Sequence, residues 1–184
     1  MFWDLETTAR LSELSHIRPL EIIEPFLMRM GKGDALAFLF ILVAVAGWFR
    51  GKGKWLRFSA GGILALASSG IIVQLIKHIL GRARPALNLG DLHFIGPHLP
   101  RGGYDSFPSG HAIATFTAAA FFAGTFPRAG WLMYLLASVI SLGRVVYGHH
   151  FPTDVIGGAV MGIALGIWFR QKLKNWIDRE PEPE

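Results

Sequence analysis

Apolar residues fall into five runs, at approximately 34–49, 56–77, 111–126, 130–147 and 153–170, separated by short polar stretches and one long break at 78–110. To cross a hydrocarbon core about 30 Å thick, a helix needs about 20 mostly apolar residues, with about 17 to 25 tolerated. The runs therefore predict about five spanning helices. The first and third are short, which implies a locally thin bilayer or extension into flanking residues. Small residues recur in two runs, as A-G-G-I-L-A-L-A-S-S-G at 60–70 and G-G-A-V-M-G-I-A-L-G at 157–166; such faces let helices approach closely in lipid. Residues 1–30 follow a different pattern, in which L-S-E-L-S-H-I-R-P-L-E-I-I-E-P-F-L-M-R-M interleaves charges with apolar side chains. This predicts one or two amphipathic helices on the membrane surface, broken near Pro19 and Pro25. The expected fold is all-α: an integral membrane helical bundle of about five spanning helices plus that N-terminal surface segment. Its parts are an amphipathic segment at 1–33, a transmembrane domain at 34–170 and a polar tail at 171–184.

Composition agrees with this. The 184 residues are 52% hydrophobic with mean hydropathy +0.40, more apolar than a one-core soluble domain of this length. Trp48, Trp55, Trp131 and Trp168 sit near run ends, where the headgroup layer favours indole rings. The absence of cysteine excludes a disulfide framework and thiolate chemistry. A net charge of +5 in a chain of spanning segments points to anionic lipid and cytoplasmic loops, and no nucleic-acid-binding motif accompanies it. Asp4 and Glu6, with no basic region ahead of an apolar stretch, predict that there is no cleavable signal peptide. If all five runs span, Arg50, Lys52, Lys54, Arg57, Arg128, Arg170, Lys172 and Lys174 share one side, expected to be cytoplasmic. The loops 78–110 and 148–152 then share the outer face. Lys77, Arg82, Arg84, Arg101 and Arg144 lie toward that outer side against the loop rule, and an anion site is one reason for them to do so.

Three patches recur on the outer face: K-H-I-L-G-R-A-R-P at 77–85, P-S-G-H at 108–111 and G-R-V-V-Y-G-H-H-F-P-T-D at 143–154. Each has a plainer reading by itself. The first is a basic cluster attracting anionic lipid, the second a helix start with Ser109 as N-cap, and the third an interfacial group ahead of a helix opened by Pro152. The combination asks for more. Lys77, Arg84 and Arg144 supply positive charge, the amides at Ser109 and Gly110 supply a helix N-terminus that favours phosphate, and His111, His150 and Asp154 supply acid–base and nucleophilic groups. Phosphoryl transfer needs this set: donors around the equatorial oxygens, an in-line nucleophile and an acid for the leaving oxygen. Asp154 stands four residues after His150, where it can hold the second ring nitrogen and steady the developing cation. His111 can protonate the departing alkoxide and then activate water. With Lys and Arg doing the charge work, no metal is required.

K-x6-R-P at 77–85, P-S-G-H at 108–111 and R-x5-H-x3-D at 144–154 resemble, in order and spacing, the three signatures of the type 2 phosphatidic acid phosphatase superfamily, lipid phosphatases related to vanadium haloperoxidases. The resemblance covers the chain from the second apolar run to the last. It implies a six-helix bundle with a phosphate pocket at the outer membrane surface. It also implies His150 as nucleophile, Asp154 as its orienter, His111 as general acid, and Lys77, Arg84, Ser109, Gly110 and Arg144 as phosphate ligands, with no cofactor. The spacing from Arg144 and Asp154 selects His150 over its neighbour His149. One departure is Gly143, where the family commonly has Ser ahead of the arginine. His78, His93 and His98 match no signature position and read as loop or interface residues, of which His93 and His98 are the two that could touch substrate. The implied activity is metal-independent hydrolysis of a lipid phosphate monoester or pyrophosphate in a bacterial inner membrane, from a site facing the periplasm. Lipid A 1-phosphate, undecaprenyl pyrophosphate and phosphatidylglycerol phosphate are candidate substrates. Lipid-to-lipid phosphotransfer through the same phosphohistidine, and non-catalytic binding of lipid phosphates, stay open at this point, as does the oligomeric state.

Overall fold

The computed structural model describes residues 3–50 and 53–179. Lys52 of the basic cluster, residues 1–2 of the N-terminal segment and 180–184 of the tail lie outside the described residues. Each apolar run is a helix: α3 at Gly33–Trp48, α4 at Gly53–Leu80, α5 at Gly110–Ala123, α6 at Pro127–Val146 and α7 at Pro152–Lys172. The leader forms α1 at Trp3–Ser12 and α2 at Arg18–Met30, joined by a 3-10 turn at Glu13–His16, and a short α8 at Lys174–Ile177 closes the chain. The long connection between α4 and α5 holds one 3-10 turn at Pro85–Leu87 and an isolated antiparallel bridge between Arg82 and Phe94.

Prolines stand in the first turn of α2, α6 and α7, where the missing N–H has no intrahelical partner to lose. The break expected near Pro19 is there, as the start of α2. The break expected near Pro25 is not, because α2 runs through it. An internal proline removes one backbone hydrogen bond, and contacts on both sides of it hold the helix. The Tyr147 hydroxyl donates to the Leu20 carbonyl at 2.8 Å, and the Met28 carbonyl bonds His111 Nε2 at 2.9 Å. Ile22, Phe26 and Met30 of α2 remain exposed, as a helix in contact with lipid requires.

The centre of the bundle is α5, buried on most of its faces from Ala112 to Phe121. The glycines of α7 let it come so close. A Cβ at Gly158, Gly162 or Gly166 would lie 2.8, 2.5 and 2.5 Å from the backbone oxygens of Ser109, Ile113 and Thr117. This is the close backbone approach that small residues permit between membrane helices. Away from the long α4–α5 connection, Phe40, Phe58 and Phe121 form part of the apolar core. Trp55 stacks on Phe126 at 5.3 Å and faces inward, unlike exposed Trp48, Trp131 and Trp168. At that same end Asp178 pairs with Lys54 and Arg170, both at 3.0 Å, and docks the tail.

Three helices, α4, α6 and α7, are long and apolar enough to cross a membrane. The bent pair α2 and α3, turning 65° at Gly31 and Lys32, passes the same test only when taken together. Five runs thus give five helices but three or four spans by length. α5 has 14 residues, about 21 Å of rise, and it can be short because neighbouring helices rather than lipid surround it.

Candidate phosphate site at one end of the bundle

All three sequence patches meet at the end of the bundle formed by the C-termini of α4 and α6 and the N-termini of α5 and α7. The turn after α6 accounts for the spacing of the third patch. Gly148 takes a left-handed φ of 66°, and the amides of His149 and His150 both donate to the Arg144 carbonyl, at 3.0 and 3.1 Å. The chain therefore folds back so that His150 lies over the turn carrying Arg144. One turn into α7, Asp154 accepts the Phe151 amide at 2.8 Å and thereby closes the helix start. The Ser109 amide donates to the Asp154 carbonyl at 3.0 Å, which ties the start of α5 to the start of α7.

His150 is 2% exposed, and its Nδ1 lies 3.6 Å from Asp154 Oδ2, a short step beyond hydrogen-bonding distance. Burial pushes its pKa down to about 4, against the pull of Asp154, and Arg144 and Lys77 add to the depression. At neutral pH the ring is uncharged and keeps a lone pair. Asp154 is held by more than the histidine. Its Oδ1 accepts from Arg82 Nη1 at 2.6 Å and its Oδ2 from the Ser106 hydroxyl at 2.6 Å. Arg82, 3% exposed, is gripped in turn by Asp4 Oδ2 at 2.8 Å, the Thr153 hydroxyl at 2.7 Å and the Asp91 carbonyl. A buried guanidinium between two carboxylates is compensated, and removing either partner would leave a costly charge.

Ser109 is the N-cap of α5, as expected, but its hydroxyl caps nothing. It is fully buried and without a hydrogen-bond partner. At Gly110 a Cβ would meet nothing within 4 Å, so the backbone there is open to approach. Arg144 is 8% exposed, its Nε is unpartnered, and Nη1 contacts only the thioether of Met28. Among the described residues no carboxylate forms an ion pair with it. A buried cation and a buried hydroxyl left unsatisfied at one helix mouth are what an anion would satisfy. Lys77 and Arg84 are already engaged. Asp105 takes a bidentate pair from Arg84, both bonds at 2.8 Å, and lies 3.7 Å from Lys77. Burial opposes the charge on Asp105, but those cations outweigh it and hold the carboxyl below its ordinary value.

His111 begins α5 within electrostatic reach of Arg144 and Lys77, with Nε2 bonded to the Met28 carbonyl. Since a carbonyl only accepts, Nε2 carries the proton. Its ring packs on Gly31, where a Cβ would lie 2.5 Å away. His149 turns outward to Glu24 of α2 at 3.4 Å, which separates it from its neighbour. Gly143 faces α2: a Cβ there would touch Tyr147, Leu27 and Met28 at 3.4 to 3.7 Å. A serine hydroxyl at that position would abut the leader helix. Sequence reasoning counted Arg82 among the unexpected cations but missed its place behind Asp154, and it missed Asp4, Ser106 and Asp105 as parts of the site. The one available signal was the additional cation inside K-H-I-L-G-R-A-R-P, because a lone Asp in a polar leader carries none. Among the described residues no three His, Cys, Asp or Glu side chains converge as a metal site would need.

Comparison with known proteins places this chain in a family. A protein named lipid A 1-phosphatase from Rhizobium johnstonii is 39% identical over 105 residues, which cover 55% of this chain and 40% of that protein. The chain thus spans less than half the length of that relative. The undecaprenyl-diphosphatase BcrC of Bacillus subtilis is 26% identical over 135 residues, 73% of this chain and 66% of that one. Among solved structures, Aquifex aeolicus LpxE superposes with a TM-score of 0.71 at 27% identity, covering 91% of this chain and 94% of the other. A transmembrane phosphatidylglycerolphosphate phosphatase of the PAP2 type from Bacillus subtilis superposes at 0.61 with 19% identity, which shows a shared fold. The PAP2 superfamily model matches residues 60–178, from α4 through α8 and across all three patches, and the chain belongs to the PAP2 superfamily.

Proposed function

We propose that the protein is a membrane lipid phosphatase that hydrolyses a lipid phosphate monoester or diphosphate through a phosphohistidine on His150, with charge supplied by side chains rather than a metal. One observation carries this reading: a buried, neutral His150 backed by Asp154 sits with an unpartnered Ser109 hydroxyl and an unpaired Arg144 guanidinium. The substrate phosphate replaces the Asp105 carboxylate on Arg84 and Lys77 and takes donors from Arg144, Ser109 and the Gly110 amide. His150 Nε2 attacks phosphorus, a P–N bond forms, and the P–O bond to the lipid breaks. The cation that grows on the ring is steadied through Nδ1 by Asp154, which Arg82 and Ser106 hold still. His111 exchanges the Met28 carbonyl for the leaving oxygen, gives it a proton, and then takes one from the water that cleaves the P–N bond. Preorganised donors of this kind act where charge develops and need no rearrangement during the step.

A lipid substrate fits because the site lies at the ends of α4, α6 and α7, the helices long and apolar enough to cross a membrane. The relatives' names direct attention to lipid A 1-phosphate and undecaprenyl diphosphate, and phosphatidylglycerol phosphate joins them as a third candidate. The reading includes a multi-pass protein of a bacterial inner membrane with its site on the periplasmic side, on the ground that Arg50, Lys54, Arg57 and Arg128 lie at the opposite end. The test is phosphate release by purified protein from these three lipids, with and without chelator, beside His150→Ala. The expected outcome is release from at least one lipid, insensitive to chelator and abolished in the variant. Undiminished release by His150→Ala would overturn the reading, as would no release from any lipid.

A further inference from the structure

Next to Lys77 and Asp105 lies a cavity of about 300 Å³ whose other lining groups include His78, His98 and Arg101. None of the three belongs to a family signature or to the site described above. The two imidazoles stack at 5.6 Å with 21° between their planes. A backbone bond from the His98 amide to the His78 carbonyl at 3.0 Å fixes the pair. Their tautomers follow from their partners. His78 Nδ1 faces the Gln74 carbonyl at 2.7 Å and His98 Nδ1 faces the Gly96 carbonyl at 3.1 Å. Carbonyls only accept, so both Nδ1 atoms carry protons and both Nε2 atoms are left over. The Arg101 guanidinium lies over the Tyr104 ring at 4.9 Å, and among the described residues no carboxylate pairs with it. The one carboxylate in the lining, Asp105, is occupied by Arg84 and Lys77. The uncommitted groups of this cavity are therefore the Arg101 guanidinium and the two imidazole edges, with no unengaged carboxylate among the lining residues, and the cavity fits an anion.

Its other border is apolar. Gln74 and His78 also line a groove of about 430 Å³ on the lipid-facing side of α4, floored by Ala67 and Gly70 and flanked by Ile71 and Leu75. The groove exists because Gly70 has no side chain; a Cβ there would meet nothing within 4 Å. From groove to cavity to Lys77, one continuous track runs from a hydrocarbon surface through a cationic chamber to the proposed phosphate ligands. A lipid with one phosphate would use the two ends and leave the chamber's guanidinium without a counter-charge. We propose that the chamber of His78, His98 and Arg101 is a second anion subsite, holding the inner phosphoryl group of a lipid diphosphate whose chain lies in the α4 groove. This rests on the phosphatase reading and names the substrate class for it. His150 attacks the terminal phosphorus, the bridging P–O bond breaks, and the electron pair leaves on the inner phosphate. That lipid monophosphate departs as an anion which the chamber stabilises, and water then releases inorganic phosphate from His150.

The test compares kcat/KM for a prenyl diphosphate and for the monophosphate of the same chain in wild type, Arg101→Ala, His98→Ala and Gly70→Phe. Wild type is expected to prefer the diphosphate. Arg101→Ala and His98→Ala are each expected to cut the diphosphate-to-monophosphate ratio about tenfold, the cost of one hydrogen bond to a charged group. Gly70→Phe is expected to raise KM for both long-chain substrates and to leave a water-soluble aryl phosphate unaffected. An unchanged ratio in both chamber variants overturns the subsite, and so does a wild type that cleaves only monophosphates. If wild type cleaves neither lipid, the phosphatase reading itself fails, and that outcome is distinct from the other two.

Discussion

His150 and the residues behind it show how the surroundings would prepare the proposed nucleophile. Burial lowers its pKa from 6.5 to about 4, so lowering the pH protonates the ring and removes the attacking lone pair only near pH 4. Nitrogen NMR of labelled histidine in detergent should show that the imidazole signal lost in His150→Ala is one that titrates near 4; if the signal lost in that variant titrates near 6.5, the burial argument is contradicted. Behind the histidine, Asp4 holds Arg82 and Arg82 holds Asp154. Asp4→Asn keeps the shape and removes the charge, and it is expected to lower kcat about tenfold with little change in KM, as for other partners that orient a working group. A change in KM alone would show that α1 serves only to bind lipid. The residues proposed to meet phosphate stand out in the sequence because their spacings are set by local geometry: the turn at Gly148 makes R-x5-H, and one helical turn makes H-x3-D. Asp4, Ser106 and Asp105 were not legible, since each reaches the site through a long-range fold-back that no spacing records.

At the scale of elements, the pattern of apolar runs foretold all five helices, and the small-residue run at 157–166 foretold close packing. What it could not supply was the partner, which is the α5 backbone. Gly162→Ala would drive a Cβ to within 2.5 Å of the Ile113 carbonyl, and backbone atoms have nowhere to retreat. The expected loss is about 1–3 kcal/mol, read as a lower thermal midpoint in detergent with less phosphate release; an unchanged midpoint would mean the two helices are not so close. By length and composition alone three helices, or four with the bent pair, qualify as spans, because that test does not distinguish a helix surrounded by lipid from one surrounded by other helices. α5 is the second kind. The leader was legible as amphipathic helices and illegible as part of the site, where Met28 covers His111 and Arg144.

The whole molecule places a cationic pocket at one end of a bundle and a basic, tryptophan-edged surface at the other, and orientation decides which membrane face the pocket serves. The chain has no cysteine, so single cysteines report sidedness cleanly. Leu99→Cys, at an 85% exposed position in the α4–α5 connection, should react with an impermeant maleimide from outside intact cells, and Arg128→Cys should react only after lysis. The reverse pattern would invert the proposed topology. The central claim, that the lipid's phosphoryl group passes through His150, is tested most directly by trapping it. Purified protein mixed with lipid diphosphate and quenched within a turnover should yield, by mass spectrometry under alkaline handling, a phosphorylated peptide with the group on His150, absent in His150→Ala. Full turnover with no phosphoryl group on that histidine at any quench time, or with the group on His111 or His149 instead, would contradict the account.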